Sequence, residues 1–368
     1  MSNVVYLNVP GPQERRASGI GALIRSFSKL RRGPEDVFWL KENAELLSIL
    51  ECTGQDVPAS FLDDYAEFYE RAGETLAFFP QYYRFILSMA LDLETLGMPG
   101  DTAESLCHWA HKQDLAGGET SDMQRVEAHR LMMRRNVEPL ADSADAKARL
   151  RDFIARPDRF ALPNKKAAFE LTHIVFYLSE YGRKDPGLGQ SALRSLENAG
   201  TLAFLDGNLD LLAEICIALR YAGYNPSEMW ESWVAQKMKD IEVRVQTSTT
   251  DQPAPVSDQY HEYLTSSWLA GTCGVPAFTG VPCGPRGAVA EGRLSFHRAA
   301  AKGGALREMT MQLFRMGKDR GADWALMRAR LDPELSDLAR IRLQQAEQAN
   351  PHFGAFFEDF ARAQRVGS

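Results

Sequence analysis

The sequence lacks the features that mark several large classes of protein. Its five cysteines are widely scattered and include no CxxC pair, so we expect neither a disulfide framework nor a cysteine-based zinc motif. No apolar run approaches the roughly 20 residues that a membrane-spanning helix needs. The net charge of −7 gives no whole-chain argument for nucleic-acid binding. These absences favour an ordinary protein of a reducing compartment.

Targeting and catalytic signatures are missing as well. The opening residues MSNVVYLNVPGPQERR do not follow the charged-then-apolar order of a secretory signal. We therefore expect a cytoplasmic protein. There is no GxSxG nucleophile motif and no GxxxxGK[ST] phosphate-binding loop. Serine-hydrolase and P-loop nucleotide chemistry are thus not expected.

What the sequence does contain is helical periodicity along most of its length. Apolar residues recur at steps of three and four, and about fourteen helices with short connections can be drawn. No stretch gives two alternating strands with a tight turn between them. Because the helices come in hairpin-like pairs, we predict an all-α fold, either a multi-helix array or an α/α toroid-like arrangement of helical hairpins.

The domain organisation follows from composition. Residues 1–33 read as an extended arm followed by a basic amphipathic helix over 14–33, and residues 34–368 as a single large helical domain. The Ser/Thr/Pro-rich stretch at 246–257 marks a subdivision of that domain. The basic helix either docks on the core with its charges in water, or contacts an anionic membrane surface or another protein.

The stretch 164–224 offers the strongest candidates for chemistry. It predicts two apolar helices, at about 165–181 and about 208–222, joined by a looser helical turn. Each helix carries one narrow polar stripe: Glu170, His173, Tyr177 and Glu180 on the first, Asp206, Asp210 and Glu214 on the second. Buried carboxylates must be paired, protonated or bound to metal. The stripes either face one another across an interior pocket or form the solvent edges of core helices.

A metal site is one hypothesis for this pocket. Glu170 and His173 form an ExxH pair, and Asp258 and His261 form a DxxH pair near a helix at 257–270. Residues at i and i+3 project to one side and grip one ion, and Glu214 can bridge to a second. Such a ligand set, Glu170, His173, Glu214, Asp258 and His261, suits a divalent metal or a di-iron centre.

A metal-free pocket is the second hypothesis, and a non-catalytic scaffold is the third. In the metal-free version four residues act as acids and bases on a small molecule: His173, Asp210, Glu214 and His261. The substrate would contact Tyr177, Tyr260 and Asp206. In the scaffold version a groove or the basic helix at 14–33 binds a protein partner. Whether the chain is an enzyme therefore stays open.

Two further segments carry alternatives. Asp63, Asp64 and Glu67 match the DDxxE pattern with which terpene synthases hold magnesium on a diphosphate, and Asp206, Asp210 and Glu214 resemble the spacing of that family's second motif. However, Pro58 and Ser60 start a helix just before the aspartates, where any helix favours acids. The Gly/Pro-rich segment 271–292 is either a lid over a pocket or a surface excursion.

Parts of the chain resemble known sequences. The amino-terminal third is similar to an uncharacterised bacterial family of similar length, and the central segments resemble a broader group of uncharacterised bacterial helical proteins. The resemblance implies an all-α fold and no particular reaction. The segments that carry it are SFSKLRRGPEDVFWLKENAELLSILE, ETLAFFPQYYRFILSMALDLETLG, ELTHIVFYLSEYG, LDLLAEICIALRYAG and YHEYL.

Overall fold

A computed structural model describes the chain over residues 11–139, 143–246, 258–299 and 304–362. The chain divides into two compact units, and each unit is assembled from two separate segments. Unit 1 comprises Met1–Asp142 and Lys239–Arg298, and unit 2 comprises Ser143–Met238 and Ala299–Ser368. The sequence does not indicate that the chain enters each unit twice.

The predicted all-α, multi-helix class is confirmed. None of the helices in the described ranges combines the length and the apolar character that crossing a bilayer requires. Most of the predicted arm, residues 1–10, and most of the predicted linker, residues 247–257, lie outside the described residues.

Unit 1 is built from helices of both its segments. In chain order they are α1 (Pro12–Arg25), α2 (Val37–Cys52), α3 (Ala59–Leu62), α4 (Ala66–Phe78), α5 (Tyr83–Leu96), α6 (Thr102–Lys112), α7 (Asp122–Met133) and α14 (Tyr260–Thr272). Helices α2 and α5 pack against each other and bury Leu46, Leu47, Ile86 and Leu87 completely. This pair forms the centre of the unit 1 core, because long aliphatic side chains on facing helices exclude water from both.

The basic amphipathic helix predicted over 14–33 is observed as α1 followed by a π-helical turn at Ser26–Leu30. Its apolar residues Ile20, Leu23, Ile24 and Phe27 are buried inside unit 1. The finding supports the docked interpretation of this helix. A membrane-surface helix would need that same apolar face for insertion.

A two-stranded antiparallel sheet in unit 1 departs from the predicted pattern. Strand β1 (Glu242–Gln246) pairs with β2 (Arg293–His297), so that Val243 lies opposite Phe296. The sequence predicts helices along most of the chain, including about 226–245 and the chain from 293 onward, and this prediction is wrong over the two strands. The strands are short and far apart in sequence, so no local turn signal reveals their pairing.

The Gly/Pro-rich segment 271–292 is held against the helices of unit 1. The Tyr263 hydroxyl donates to the Thr279 carbonyl at 3.0 Å, and the Ser18 hydroxyl on α1 donates to the Gly287 carbonyl. Phe278 is buried. These contacts fix the segment along α1 and α14, which argues against the lid interpretation.

Unit 2 contains the stretch that the sequence singles out. In chain order its helices are α8 (Ser143–Ile154), α9 (Pro157–Phe160), α10 (Lys165–Leu178), α11 (Gln190–Asp206), α12 (Leu209–Tyr221), α13 (Glu228–Lys239), α15 (Ala305–Met316), α16 (Trp324–Leu331), α17 (Asp337–Ala349) and α18 (Phe353–Ala361). Helix α11 is buried along most of its length and packs against α9, α12, α15 and α17. It is therefore the central helix of unit 2.

The stretch 164–224 forms three helices instead of the predicted two, because α11 occupies the place of the looser turn. Gly207 adopts a left-handed conformation (φ 70°) that ends α11, and the Asn208 side chain caps α12 by accepting from the Leu211 N–H at 3.2 Å. Asp206 is thus on a different helix from Asp210 and Glu214, so the predicted three-residue stripe is wrong. Glu180 lies beyond the end of α10 and does not share its stripe.

Candidate functional site

The centre of the candidate site is a histidine backed by a buried carboxylate. Helices α10 and α12 pack side by side in unit 2 and bring His173 Nε2 within 3.9 Å of Glu214 Oε2. The His173 side chain is 42% exposed, whereas that of Glu214 is 3% exposed. The His173 ring is therefore accessible to water and small molecules, whereas its acidic partner Glu214 is not.

Thr172 supplies the hydrogen bond that a buried carboxyl group needs. Its hydroxyl oxygen lies 2.5 Å from Glu214 Oε2 and 2.9 Å from the Phe169 carbonyl oxygen. A threonine hydroxyl has one proton to donate and two lone pairs that accept. It can donate to an ionised Glu214, or accept from a protonated Glu214 while donating to Phe169. Thr172 can thus form a hydrogen bond with Glu214 Oε2 in either protonation state of the carboxyl group.

Two aromatic rings give the imidazole an apolar side. The ring centroids of Phe176 and Tyr177 lie 5.9 and 6.0 Å from that of His173. Both rings belong to the next turn of α10, and both residues are almost fully buried. The imidazole therefore meets water on one part of its surface and aromatic carbon on another.

The helix starts explain why these side chains meet. Asn164 caps α10 by accepting from the Ala167 N–H at 3.1 Å, just as Asn208 caps α12. With both starts fixed, the interior face of α10 carries Thr172, and that of α12 carries Glu214. Asp210 lies in the first turn of α12, where the helix dipole favours a carboxylate in any case.

Two other predicted residues of unit 2, Asp206 and Glu170, each form an ion pair with a lysine at the start of α10. Asp206 Oδ2 lies 2.8 Å from Lys165 Nζ. Glu170 Oε1 lies 3.9 Å from Lys166 Nζ, one turn earlier on α10. Of the predicted metal ligands in unit 2, His173 and Glu214 form the close pair.

Tyr260 and His261 belong to unit 1. His261 Nε2 lies 2.9 Å from Glu45 Oε1 on α2. The Tyr260 ring lies against Arg31, whose Cζ is 5.0 Å from the ring centroid. Burial and the nearby Glu45 and Glu42 carboxylates raise the pKa of Tyr260 above its ordinary value. This phenol therefore stays protonated and acts as a packing group in unit 1.

Asp258 has a structural role in unit 1. Its two carboxylate oxygens accept from the Arg31 guanidinium at 2.9 and 3.0 Å, and Oδ2 also accepts from the Phe296 N–H. Asp258 precedes α14 and is not part of it, so Asp258 and His261 do not form the predicted pair on one helix. We therefore do not retain Asp258 as a metal ligand.

The terpene-synthase interpretation lacks its structural context. Asp63 and Asp64 lie in a 3₁₀ turn between the short helix α3 and α4, not at the end of a long apolar helix. Asp64 pairs with Arg25 at 3.6 Å. The break at Gly207 also separates Asp206 from the other members of the second motif.

Unit 1 has a surface groove of about 560 Å³. Lys29 and Arg32 from the basic segment reach this groove, as do Asp64 and Glu67. Exposed aromatic rings occur in the same region, with Phe79 lining the groove at 42% exposure. Contact with a partner through 14–33 stays a prediction, and this groove is where such a contact would involve Lys29 and Arg32.

Two partners of the candidate residues were not anticipated from the sequence. Thr172 is adjacent to His173, and its position on the apolar face of α10 was the available signal, because a buried hydroxyl needs a polar partner. Glu45 carries no such signal, since it is one of several acids on α2 and its contact with His261 is non-local.

Comparison with known families gives one match that covers nearly the whole chain. A family model described as a domain of unknown function, DUF6902, matches residues 1–363. The chain therefore belongs to this family. Neither the comparison with curated proteins nor that with solved structures gives a match.

Proposed function

We propose that the protein performs general acid–base chemistry on a small molecule, with His173 as the group that exchanges a proton with the substrate. The observation that carries the proposal is the contrast in exposure across a 3.9 Å separation between His173 and Glu214. Histidine changes charge near neutral pH, so it is the side chain best suited to exchange protons there.

In this proposal Glu214 positions and supports the histidine. One imidazole nitrogen faces Glu214, and the other takes a proton from the substrate or returns it. When the imidazole takes the proton it becomes a cation, which the buried carboxylate stabilises at close range. Thr172 keeps the Glu214 carboxyl group hydrogen-bonded throughout, because its hydroxyl can either donate or accept.

The exposed part of the His173 ring is the surface that a substrate can reach. Phe176 and Tyr177 flank the imidazole but are almost fully buried, so a small organic molecule would contact the 42% exposed side chain of His173 with one polar group. This arrangement suits proton abstraction next to a carbonyl group, or proton transfer to a leaving oxygen.

Proton exchange with solvent gives a test that does not require the substrate to be identified first. Mixtures of small carbonyl compounds and carboxylic acids are incubated with the protein in D₂O, and deuterium incorporation is followed by NMR and mass spectrometry. We expect at least one compound to exchange with the wild-type protein, to stop exchanging with His173→Gln, and to exchange more slowly with Glu214→Gln.

Glu170→Gln is the matched control. Glu170 lies on the same helix, one turn before His173, but it forms its ion pair with Lys166. This variant should leave the exchange rate unchanged. Exchange that is equal in the wild-type protein and His173→Gln, or no exchange in any mixture, would contradict the proposal.

A further inference from the structure

Unit 2 also contains an apolar pocket of about 140 Å³ that does not include His173. Its walls come from α9, α10, α11, α12 and α15. The apolar lining includes Phe160, Ala168, Ala199, Leu202, Leu211 and Leu306. A dry cavity of about 150 Å³ lined by such side chains is known to hold a benzene-sized molecule. The pocket therefore has room for one branched aliphatic or aromatic group.

An ion pair stands at the edge of this pocket. Lys165 and Asp206 both line it, and their Nζ and Oδ2 atoms are 2.8 Å apart. Their side chains are 67% and 30% exposed. A pair with this exposure contributes little to stability, so a ligand can separate the two groups at small cost.

Three helix ends place both signs of charge around the same edge. Helices α10 and α12 begin there, and their caps Asn164 and Asn208 line the pocket. Helix α11 ends there at Asp206. Helix starts carry partial positive charge and helix ends carry partial negative charge. The edge thus offers a positive side, with Lys165, and a negative side, with Asp206.

We propose that this pocket binds a free α-amino acid with a branched aliphatic or aromatic side chain. The side chain would fill the apolar cavity, the carboxylate would meet Lys165 and the helix starts, and the ammonium group would meet Asp206. A ligand with a single charge would pair with either Lys165 or Asp206 and leave the other residue without a countercharge. A zwitterion offers a countercharge to both residues.

Binding is tested by NMR titration of the isotope-labelled full chain with leucine and phenylalanine. Three analogues of leucine isolate each part of the ligand: glycine lacks the apolar group, 4-methylpentanoate lacks the ammonium group, and 3-methylbutylamine lacks the carboxylate. We expect leucine or phenylalanine to shift the resonances of Ala168, Ala199 and Leu211 in saturable fashion. Each analogue should bind at least tenfold more weakly.

Two surface variants test the charged edge without disturbing the core. Lys165→Gln and Asp206→Asn should each weaken amino-acid binding at least tenfold, with unchanged far-UV circular dichroism. Lys166→Gln is the matched control, because Lys166 is the next residue and does not line the pocket. This variant should bind like the wild-type protein. His173→Gln should also bind normally, so the result is independent of the acid–base proposal.

Three outcomes would overturn the inference. One is the absence of resonance shifts with either amino acid at millimolar concentration. Another is equal binding of leucine and 4-methylpentanoate, since the ammonium group would then make no contribution. The third is saturable binding of benzene at the same resonances without binding of leucine or phenylalanine, which would mark the cavity as a packing void.

Discussion

Arg31 and Asp258 lie 227 positions apart in the chain and meet as a buried, two-pronged ion pair in unit 1. Arg31 is fully buried, and it also donates to Glu42 and to the Leu294 carbonyl. The pair therefore joins the first segment of unit 1 to the strand and helix of its second segment.

Asp258→Asn should destabilise unit 1 by about 3–5 kcal/mol, because it leaves a buried guanidinium short of one countercharge. Chemical denaturation, followed by circular dichroism, measures the effect. Arg25→Gln is the control: it removes a pair in which Arg25 is 48% exposed, and it should cost at most about 1 kcal/mol. A loss below about 1 kcal/mol in Asp258→Asn would contradict the assigned role.

Thr172→Val should destabilise unit 2 by about 1–3 kcal/mol, since it removes a hydrogen-bond donor from the buried Glu214 carboxyl group. The variant keeps the volume and branching of the side chain, so packing changes little. Thr310→Val is a suitable control, because the Thr310 hydroxyl donates only to a carbonyl of its own helix and should cost less than about 1 kcal/mol. Equal losses in the two variants would show that the Thr172–Glu214 bond has no special importance.

Replacing glycine by alanine should have opposite effects on stability at the break between α11 and α12 and in the interior of α4. Gly207→Ala should destabilise unit 2 by about 1–2 kcal/mol, because Gly207 has a left-handed backbone (φ 70°) that alanine adopts poorly. Gly73→Ala, in the exposed interior of α4 with no atom near the added methyl group, should stabilise unit 1 by about 0.5–1 kcal/mol. Thermal unfolding measures whether each variant is more or less stable than the wild-type protein. Stabilisation by Gly207→Ala would rule out the assigned helix break.

The thiols should differ in their response to pH. Burial raises the pKa of Cys107 to about 12, so the native thiol binds its proton more tightly than the unfolded one, with an ordinary pKa of about 8.5. Stability therefore falls as the pH rises above the ordinary thiol value. Iodoacetamide at about pH 9 should leave native Cys107 unmodified and label it after unfolding. The part-buried cysteines, Cys52, Cys273 and Cys283, should be labelled before Cys107 in the native protein. Rapid labelling of native Cys107 would disagree with its burial.

The sequence was most informative where a helix buries one face locally. The periodicity at about 165–181 identified α10 (Lys165–Leu178). The sequence left open whether the two stripes meet, and the structure brings His173 Nε2 to 3.9 Å from Glu214 Oε2. Both helices have asparagine caps, which are strong local signals. By contrast, the prediction of one stripe through Asp206, Asp210 and Glu214 overlooked the two residues that follow Asp206. Gly207 is a typical residue at the end of a helix, and Asn208 is a typical residue at the start of one.

Non-local contacts were beyond sequence reasoning. The pairing of β1 with β2, the Arg31–Asp258 ion pair and the contact of His261 with Glu45 each join distant segments. Local periodicity contains no information on which of many acids an arginine or histidine will meet. The chain also enters each unit twice, and that arrangement depends on tertiary packing rather than on any linker composition.

Metal removal separates the acid–base proposal from the metal hypothesis. Treatment with EDTA followed by dialysis should leave both the NMR resonance of His173 and the deuterium exchange activity unchanged. Added zinc should not restore any activity, because none is lost. A loss of exchange that returns with one divalent ion would favour metal-assisted chemistry instead.

The most direct test of the central claim is the nitrogen-15 NMR spectrum of the His173 imidazole at neutral pH. The protein has seven histidines, and the His173 signals are assigned by their absence in His173→Gln. Because His173 Nε2 lies 3.9 Å from Glu214 Oε2, removing the carboxylate charge in Glu214→Gln should change the ring nitrogen shifts of His173. Glu170→Gln should leave these shifts as they are in the wild-type protein. Identical shifts in the wild-type protein and Glu214→Gln would contradict the claim that these two residues act as one acid–base pair.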